Sequence, residues 1–252
     1  MGLANRTTSQ GQVRRTISVI IPALNEEANV VATVNEVLTA LGDRFEDYEL
    51  LIFDDGSHDR TGELMDDLAK TNPRIRVTHN DRSRNLGGVY KQGIALACFD
   101  YLFLVPGDNE ITGSALIRTL DAVGKADIVI PYPTNMEVRP LARRIASRGY
   151  TLLINLLFGR RLKYYNGTVI SRLADVRNIT IRTDSFAYQS EALLKLLRAG
   201  KTYVEVGVEI RQWPGRRSNA LRLANLFAVL KAVGRLVLEM HGRSKDRVSV
   251  GR

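Results

Sequence analysis

Through the first 130 residues, short apolar runs alternate with helix-period segments. The runs cover residues 17–21, 48–53, 75–78, 101–105 and 127–130, and the helical patterns between them span 28–41, 59–70, 87–98 and 112–123. Most runs are nearly continuous in Val, Ile, Leu and Phe, the pattern of strands buried on both faces. Such alternation predicts a three-layer α/β domain, a mostly parallel sheet covered by helices on both sides. In sheets of this kind ligands bind beyond the carboxyl ends of the strands. Polar clusters stand at those ends: Asn25-Glu26-Glu27, Asp54-Asp55-Gly56-Ser57 and Gly107-Asp108-Asn109-Glu110. Asn25 is placed to cap the first helix and Thr112 the fourth.

Composition removes several classes. With 44% hydrophobic residues in 252, the chain has enough apolar side chains to bury a core and is not disordered as its main state. No apolar run approaches the roughly 18–20 residues that cross a bilayer. The single cysteine, Cys98, excludes an internal disulfide framework and suits a reducing cytoplasm. The first 15 residues are polar and carry no secretory apolar stretch, so they read as a flexible tail. GxGxxG and GxxxxGK[ST] are both missing, which argues against dinucleotide and P-loop sites.

Charge is unevenly placed. Residues 1–137 hold 13 basic and 20 acidic side chains, whereas residues 138–174 hold 8 basic and none acidic, and 210–238 hold 6 basic and none acidic. An acidic half suited to a metal therefore precedes two cationic segments suited to phosphate. On a helical wheel of residues 140–158, Arg143, Arg144, Ser147, Arg148, Thr151 and Asn155 gather on one side. Leu141, Ile145, Leu152, Leu153, Leu156 and Leu157 lie opposite. This amphipathic helix fits either a membrane interface or a surface helix packed on the sheet. Residues 218–240 are also apolar-rich and read as a helix–turn–helix pair on a bilayer or as a helical lid.

The polar clusters carry chemistry. Two adjacent carboxylates, Asp54 and Asp55, can accept hydrogen bonds from a nucleobase N–H and a ribose hydroxyl. Asp108 and Glu110, two residues apart, point to one face in extended backbone and suit Mg²⁺ or Mn²⁺. In this order on a parallel sheet, the clusters point to a nucleoside diphosphate and a metal. Each, taken alone, is equally a turn or a helix start.

The chain resembles the family 2 glycosyltransferases of the GT-A fold through residues 18–27 (SVIIPALNEE), 54–61 (DDGSHDRT) and Asn85-Leu86-Gly87-Gly88 leading to Gly93. More narrowly it is similar to the polyprenyl-phosphate glycosyltransferases, of the dolichol-phosphate mannose synthase type. That likeness runs through residues 143–147, 155–159, 186–191 and 200–206 to Arg211 and Gly215. The resemblance implies a Rossmann-like nucleotide-diphospho-sugar transferase domain over 16–218, with a donor half to about 130 and an acceptor half beyond it. Amphipathic helices and a basic tail follow over 219–252. It places Pro22, Ala23, Glu26, Asp54, Asp55, Gly56 and Gly88 around the donor nucleotide and makes Asp108 the central metal ligand. The usual Asp-x-Asp pair is broken by Pro106, so Asp108-x-Glu110 stands in for it. After Gly215 the chain is one residue longer than the family pattern, where Arg211 and Arg216 would meet phosphate.

The activity this implies is metal-dependent, inverting transfer of a hexose from a GDP- or UDP-sugar to polyprenyl phosphate. The acceptor phosphate is already anionic, so the reaction needs cations rather than a strong base; Arg139, Arg143, Arg144 and Arg211 are the candidates. Glu191 would serve as base if the acceptor were a sugar or polysaccharide hydroxyl, the first alternative. A nucleic-acid module is the second, disfavoured by the acidic first half and the few aromatics among the basic stretches. Many relatives carry C-terminal membrane helices and this chain ends without one. The expectation is therefore peripheral attachment at the cytoplasmic face of the membrane, through its own surface or a separate membrane protein.

Overall fold

The computed structural model describes residues 15–185, 187–211 and 223–242. Most of the expected N-terminal tail, Phe186, the 212–222 stretch with Gly215 and Arg216, and the basic tail after 242 lie outside the described residues. A seven-stranded sheet forms the middle layer in the order β3-β2-β1-β4-β6-β5-β7. β1 (Thr16–Ala23), β2 (Asp47–Asp54), β3 (Ile75–His79) and β4 (Tyr101–Leu104) pair in parallel. The short β6 (Ile170–Arg172) is antiparallel to both β4 and β5 (Ile128–Pro133), and β7 (Tyr203–Val208) runs parallel to β5. Two antiparallel steps restore direction, so β5 ends on the same edge as β1 to β4.

Side chains alternate across each strand, which is why nearly continuous apolar runs feed two cores. Ile20, Leu51, Phe53, Leu102, Leu104, Ile128 and Ile130 pack under α3 (Asn85–Leu96), α6 (Leu173–Arg177), α7 (Tyr188–Arg198) and α8 (Leu223–Gly242). Ile154 and Tyr150 of α5 (Leu141–Phe158) join this core. Val19, Ile21, Leu50, Ile52, Phe103 and Val129 pack on the other face against α1 (Val30–Leu41), α2 (Thr61–Thr71) and α4 (Gly113–Leu120). All five expected strands are present, together with β6 and β7. Thr112 caps α4 as expected, its hydroxyl accepting from the Ala115 N–H at 3.1 Å.

Two local expectations are corrected. Asn25 does not cap α1, which starts at Val30. It sits in left-handed backbone at φ 55°, a conformation Asn tolerates, and its side chain accepts from the His58 N–H at 2.8 Å. That bond ties the loop after β1 to the loop after β2. α8 is one unbroken helix, in place of a helix–turn–helix pair. In α5, Ile154 is buried and Tyr150, Leu157 and Phe158 pack against the core, so the helix lies on the surface of the domain with an apolar stripe left uncovered. Arg143 and Arg144 are half-buried, and Leu141, Ile145, Leu152 and Leu156 are left 60–73% exposed. Among the described residues no helix is long and apolar enough to cross a membrane.

Candidate active site

The carboxyl edge of the sheet gathers the predicted donor residues. Pro22 and Ala23 end β1 and Asp54 ends β2 directly beside them, with Ala23 paired to Asp54. The Asp55 N–H donates to the Ala23 carbonyl at 2.9 Å and the Gly107 N–H to that of Pro22 at 2.9 Å, drawing the Asp108 loop against the same strand end. Glu26 is anchored below by its N–H to the Thr61 hydroxyl at 2.8 Å, and its carboxylate accepts from Asn29. Gly56 has φ +82°, and a Cβ there would lie 3.0 Å from the Arg82 Cα, so the turn closes onto the 82–83 backbone only with glycine. Gly88 sits in the first turn of α3 against Arg84 and Asp184.

The two adjacent aspartates separate in role. Asp55 is buried and accepts from Asn80 Nδ2 (3.0 Å), Arg84 N (2.8 Å), Ser83 Oγ (2.7 Å) and Asn85 N (3.1 Å). It organises the loop into α3. Asp54 accepts from the Ser57 N–H at 2.9 Å and lies 3.2 Å from His79 Nδ1. Burial opposes its charge, but the Ser57 and His79 bonds prevail and hold the carboxyl below its ordinary range.

Next to this edge a cleft of about 450 Å³ opens between the end of β5 and the inward face of α5. Tyr132, Thr134, Lys163 and Tyr164 face Arg144, Ser147, Arg148 and Thr151 across it. The Arg144 Nε is buried with no hydrogen-bond partner among the described residues. Lys163 lies over the Tyr132 ring, 4.3 Å from its centre. Cleft and Asp108 loop are joined through Arg139. Its guanidinium holds Glu110 Oε1 at 2.5 and 3.1 Å and donates to Tyr164 Oη at 2.9 Å. An acidic sheet edge thus stands beside a cationic cleft, an arrangement that can bring a metal-bound diphosphate and a second anion together.

Comparison with known proteins agrees with this geometry. The family model described as Glycosyl transferase family 2 matches residues 18–195. The chain is a family 2 glycosyltransferase. It is 28% identical over 203 residues to an undecaprenyl-phosphate mannosyltransferase of Micrococcus luteus, spanning 76% of this chain and 82% of that protein. To the polyprenol monophosphomannose synthase of Mycolicibacterium smegmatis it is 35% identical over 117 residues, 44% of this chain and 43% of that one. In structure it is similar to mannosyl-3-phosphoglycerate synthase from Rubrobacter xylanophilus, with TM-score 0.65 and 16% identity over 94% of this chain and 77% of that one. Glucosyl-3-phosphoglycerate synthase from Mycobacterium tuberculosis, crystallised with Mn²⁺, UDP and its product, matches at TM-score 0.61 and 18% identity, covering 89% and 79%. The fold is GT-A.

Within this family 2 glycosyltransferase, several expected residues have other occupations. Glu110, expected to ligate metal, is held by Arg139 and lies 3.6 Å from Arg143 Nη2. No group of three His, Cys, Asp or Glu is poised for a metal among the described residues. Mg²⁺ needs only one or two carboxylates when substrate phosphates complete its shell, and the loop carries Asp108 two residues from the Arg-paired Glu110. Arg211, expected at phosphate, instead donates to Asn109 Oδ1 at 2.6 Å and pairs with Glu36 at 2.5 Å, bracing the Asp108 loop against α1. Glu191, the alternative base, is buried; it accepts from the Arg182 and Thr183 N–H groups at 3.1 and 3.0 Å and pairs with Lys195 at 2.7 Å. Sequence reasoning passed over Lys163, Tyr132, Tyr164 and His79, which belong to no recognisable motif.

Proposed function

We propose that this enzyme transfers a hexose from a nucleoside-diphosphate sugar to a polyprenyl phosphate, with inversion, while resting on the membrane surface. The observation that carries the reading is the two-sided character of α5. One face offers Arg144, Ser147, Arg148 and Thr151 to the cleft, and the other exposes a stripe of leucine and isoleucine. An amphiphile with an anionic head and an apolar tail matches both faces at once. The likeness to an undecaprenyl-phosphate mannosyltransferase supports the same acceptor class.

In this reading Asp54 receives the nucleoside, and Arg144, whose buried Nε lacks a partner among the described residues, receives the acceptor phosphate. Arg143 and Arg148 add positive charge against the repulsion between two phosphates. A phosphate nucleophile is ionised at neutral pH, so the commitment of Glu191 to Lys195 and to the 182–183 backbone costs the reaction nothing. Asp108 would hold a divalent cation, whose chemistry is to neutralise the departing diphosphate. The C–O bond to the diphosphate breaks as the acceptor phosphate oxygen bonds the anomeric carbon from the opposite face.

The test incubates the purified enzyme with Mg²⁺ or Mn²⁺, a panel of UDP- and GDP-sugars and a short polyprenyl phosphate in detergent. Nucleoside diphosphate release that depends on the lipid, with a hexosyl-phosphate lipid seen by mass spectrometry, is expected. Release that depends instead on a sugar hydroxyl would overturn the acceptor assignment. A second measurement addresses the surface: Leu152→Ser with Leu156→Ser should weaken sedimentation with anionic vesicles by roughly tenfold or more. Both side chains are exposed, so thermal unfolding should change little. Unchanged vesicle binding would remove α5 from the membrane contact.

A further inference from the structure

His79 stands at the end of β3, between two carboxylates from different layers. Its Nδ1 lies 3.2 Å from Asp54 Oδ2 on β2 and its Nε2 3.1 Å from Asp66 Oδ1 on α2. These are the charged groups that face the ring from the elements packed against it. α2 comes this close because residue 62 is glycine: a Cβ there would lie 2.8 Å from Asp54 Oδ2 and 3.3 Å from the His79 ring. Ionised carboxylates only accept, and a neutral imidazole has one N–H to give. Both contacts can be hydrogen bonds at once only if the ring carries both protons.

We infer that His79 is a positioning residue for donor binding, its doubly protonated ring, itself held by Asp66, locking Asp54 against the Ser57 turn in the orientation that receives the nucleoside. Asp54 Oδ1 is already directed by the Ser57 N–H, so the ring fixes the remaining rotation of the carboxylate. Burial disfavours the charged ring, yet the two carboxylates outweigh it and raise its pKa above the ordinary value. The lock is therefore complete below that raised pKa. As pH rises through it, one of the two bonds is lost and Asp54 is free to turn. His79 touches no reacting atom, so the effect falls on donor affinity and leaves the transfer step alone.

The inference rests on Asp54 receiving the nucleoside, and its test separates the two ideas. UDP and GDP, each with Mg²⁺, are titrated calorimetrically into the full chain from pH 6 to 9. In parallel the histidine ring signals are followed by ¹⁵N NMR; the chain has only three histidines, and the signal lost in His79→Gln is His79. The expected result is a His79 midpoint above about 6.5 and a loss of nucleotide affinity of about fivefold across the same midpoint. His79→Gln should bind about fivefold more weakly at pH 6.5, with a flat profile and an unchanged kcat. Asp66→Asn should move both midpoints down together. A midpoint at or below the ordinary histidine value, or an affinity that is flat across the titration, would overturn the positioning role while leaving the proposed function standing. Failure of the wild-type chain to bind either nucleotide at any pH would overturn both.

Discussion

Asp108→Ala is expected to lower hexose transfer by about 10²- to 10³-fold, the size of effect seen when one preorganised contributor to leaving-group charge is removed. Asp108 stands on the loop that the Gly107 N–H pins to Pro22, next to the end of β1 and the Asp54 carboxylate. Asp108 accepts the Glu110 N–H at 3.1 Å, a turn contact worth about 1 kcal/mol. The variant should therefore fold and keep its melting temperature within a few degrees. Turnover with the lipid acceptor, measured beside thermal unfolding, checks this. Near-normal turnover in a folded variant would show that the diphosphate charge is met elsewhere, with Arg139, Arg143 and Arg211 the cations held against the same loop.

The second large effect is on stability. Glu110→Ala removes the counter-charge of Arg139, whose side chain is 11% exposed and whose other partner is the neutral Tyr164 hydroxyl. Stranding a largely buried guanidinium costs about 2–4 kcal/mol, near the lower part of the range for broken buried pairs. For a domain of this size that lowers the melting temperature by roughly 5–15 °C. Removing the cation as well, in Glu110→Ala with Arg139→Met, should recover part of the loss, because an apolar side chain tolerates the site. A metal-ligand role predicts the opposite pattern: unchanged melting and a raised requirement for Mg²⁺. Differential scanning calorimetry of the single and double variants, with a Mg²⁺ titration of activity, tells them apart.

The first 130 residues were the legible part of the chain. β1, β2 and β4 are buried on both faces and so appear as apolar runs, and each ends in a polar cluster that the parallel register brings to one edge. β6 was missed because three residues, Ile170–Arg172, make no pattern. β7 was missed because it begins at exposed Tyr203 and stays half-covered until Val208. Site residues were legible as chemical types and less so as roles. Whether an arginine is available for phosphate depends on partners far away in sequence: Arg211 is taken by Glu36, 175 positions earlier, and Glu110 by Arg139, 29 positions later. The contact between His79 and Asp54 arises from register alone, since the two residues end neighbouring strands.

α5 packs on the core through Tyr150, Ile154 and Leu157 and lines the cleft with Arg144, yet leaves Leu141, Ile145, Leu152 and Leu156 facing out. On the proposed reading this changes the dimensionality of the reaction. An enzyme seated by that stripe finds its acceptor by lateral diffusion, so the relevant concentration is the acceptor's mole fraction in the surface, not its amount per volume. Adding inert lipid would slow such an enzyme even when the total acceptor is held constant, while the water-soluble donor continues to obey bulk mass action.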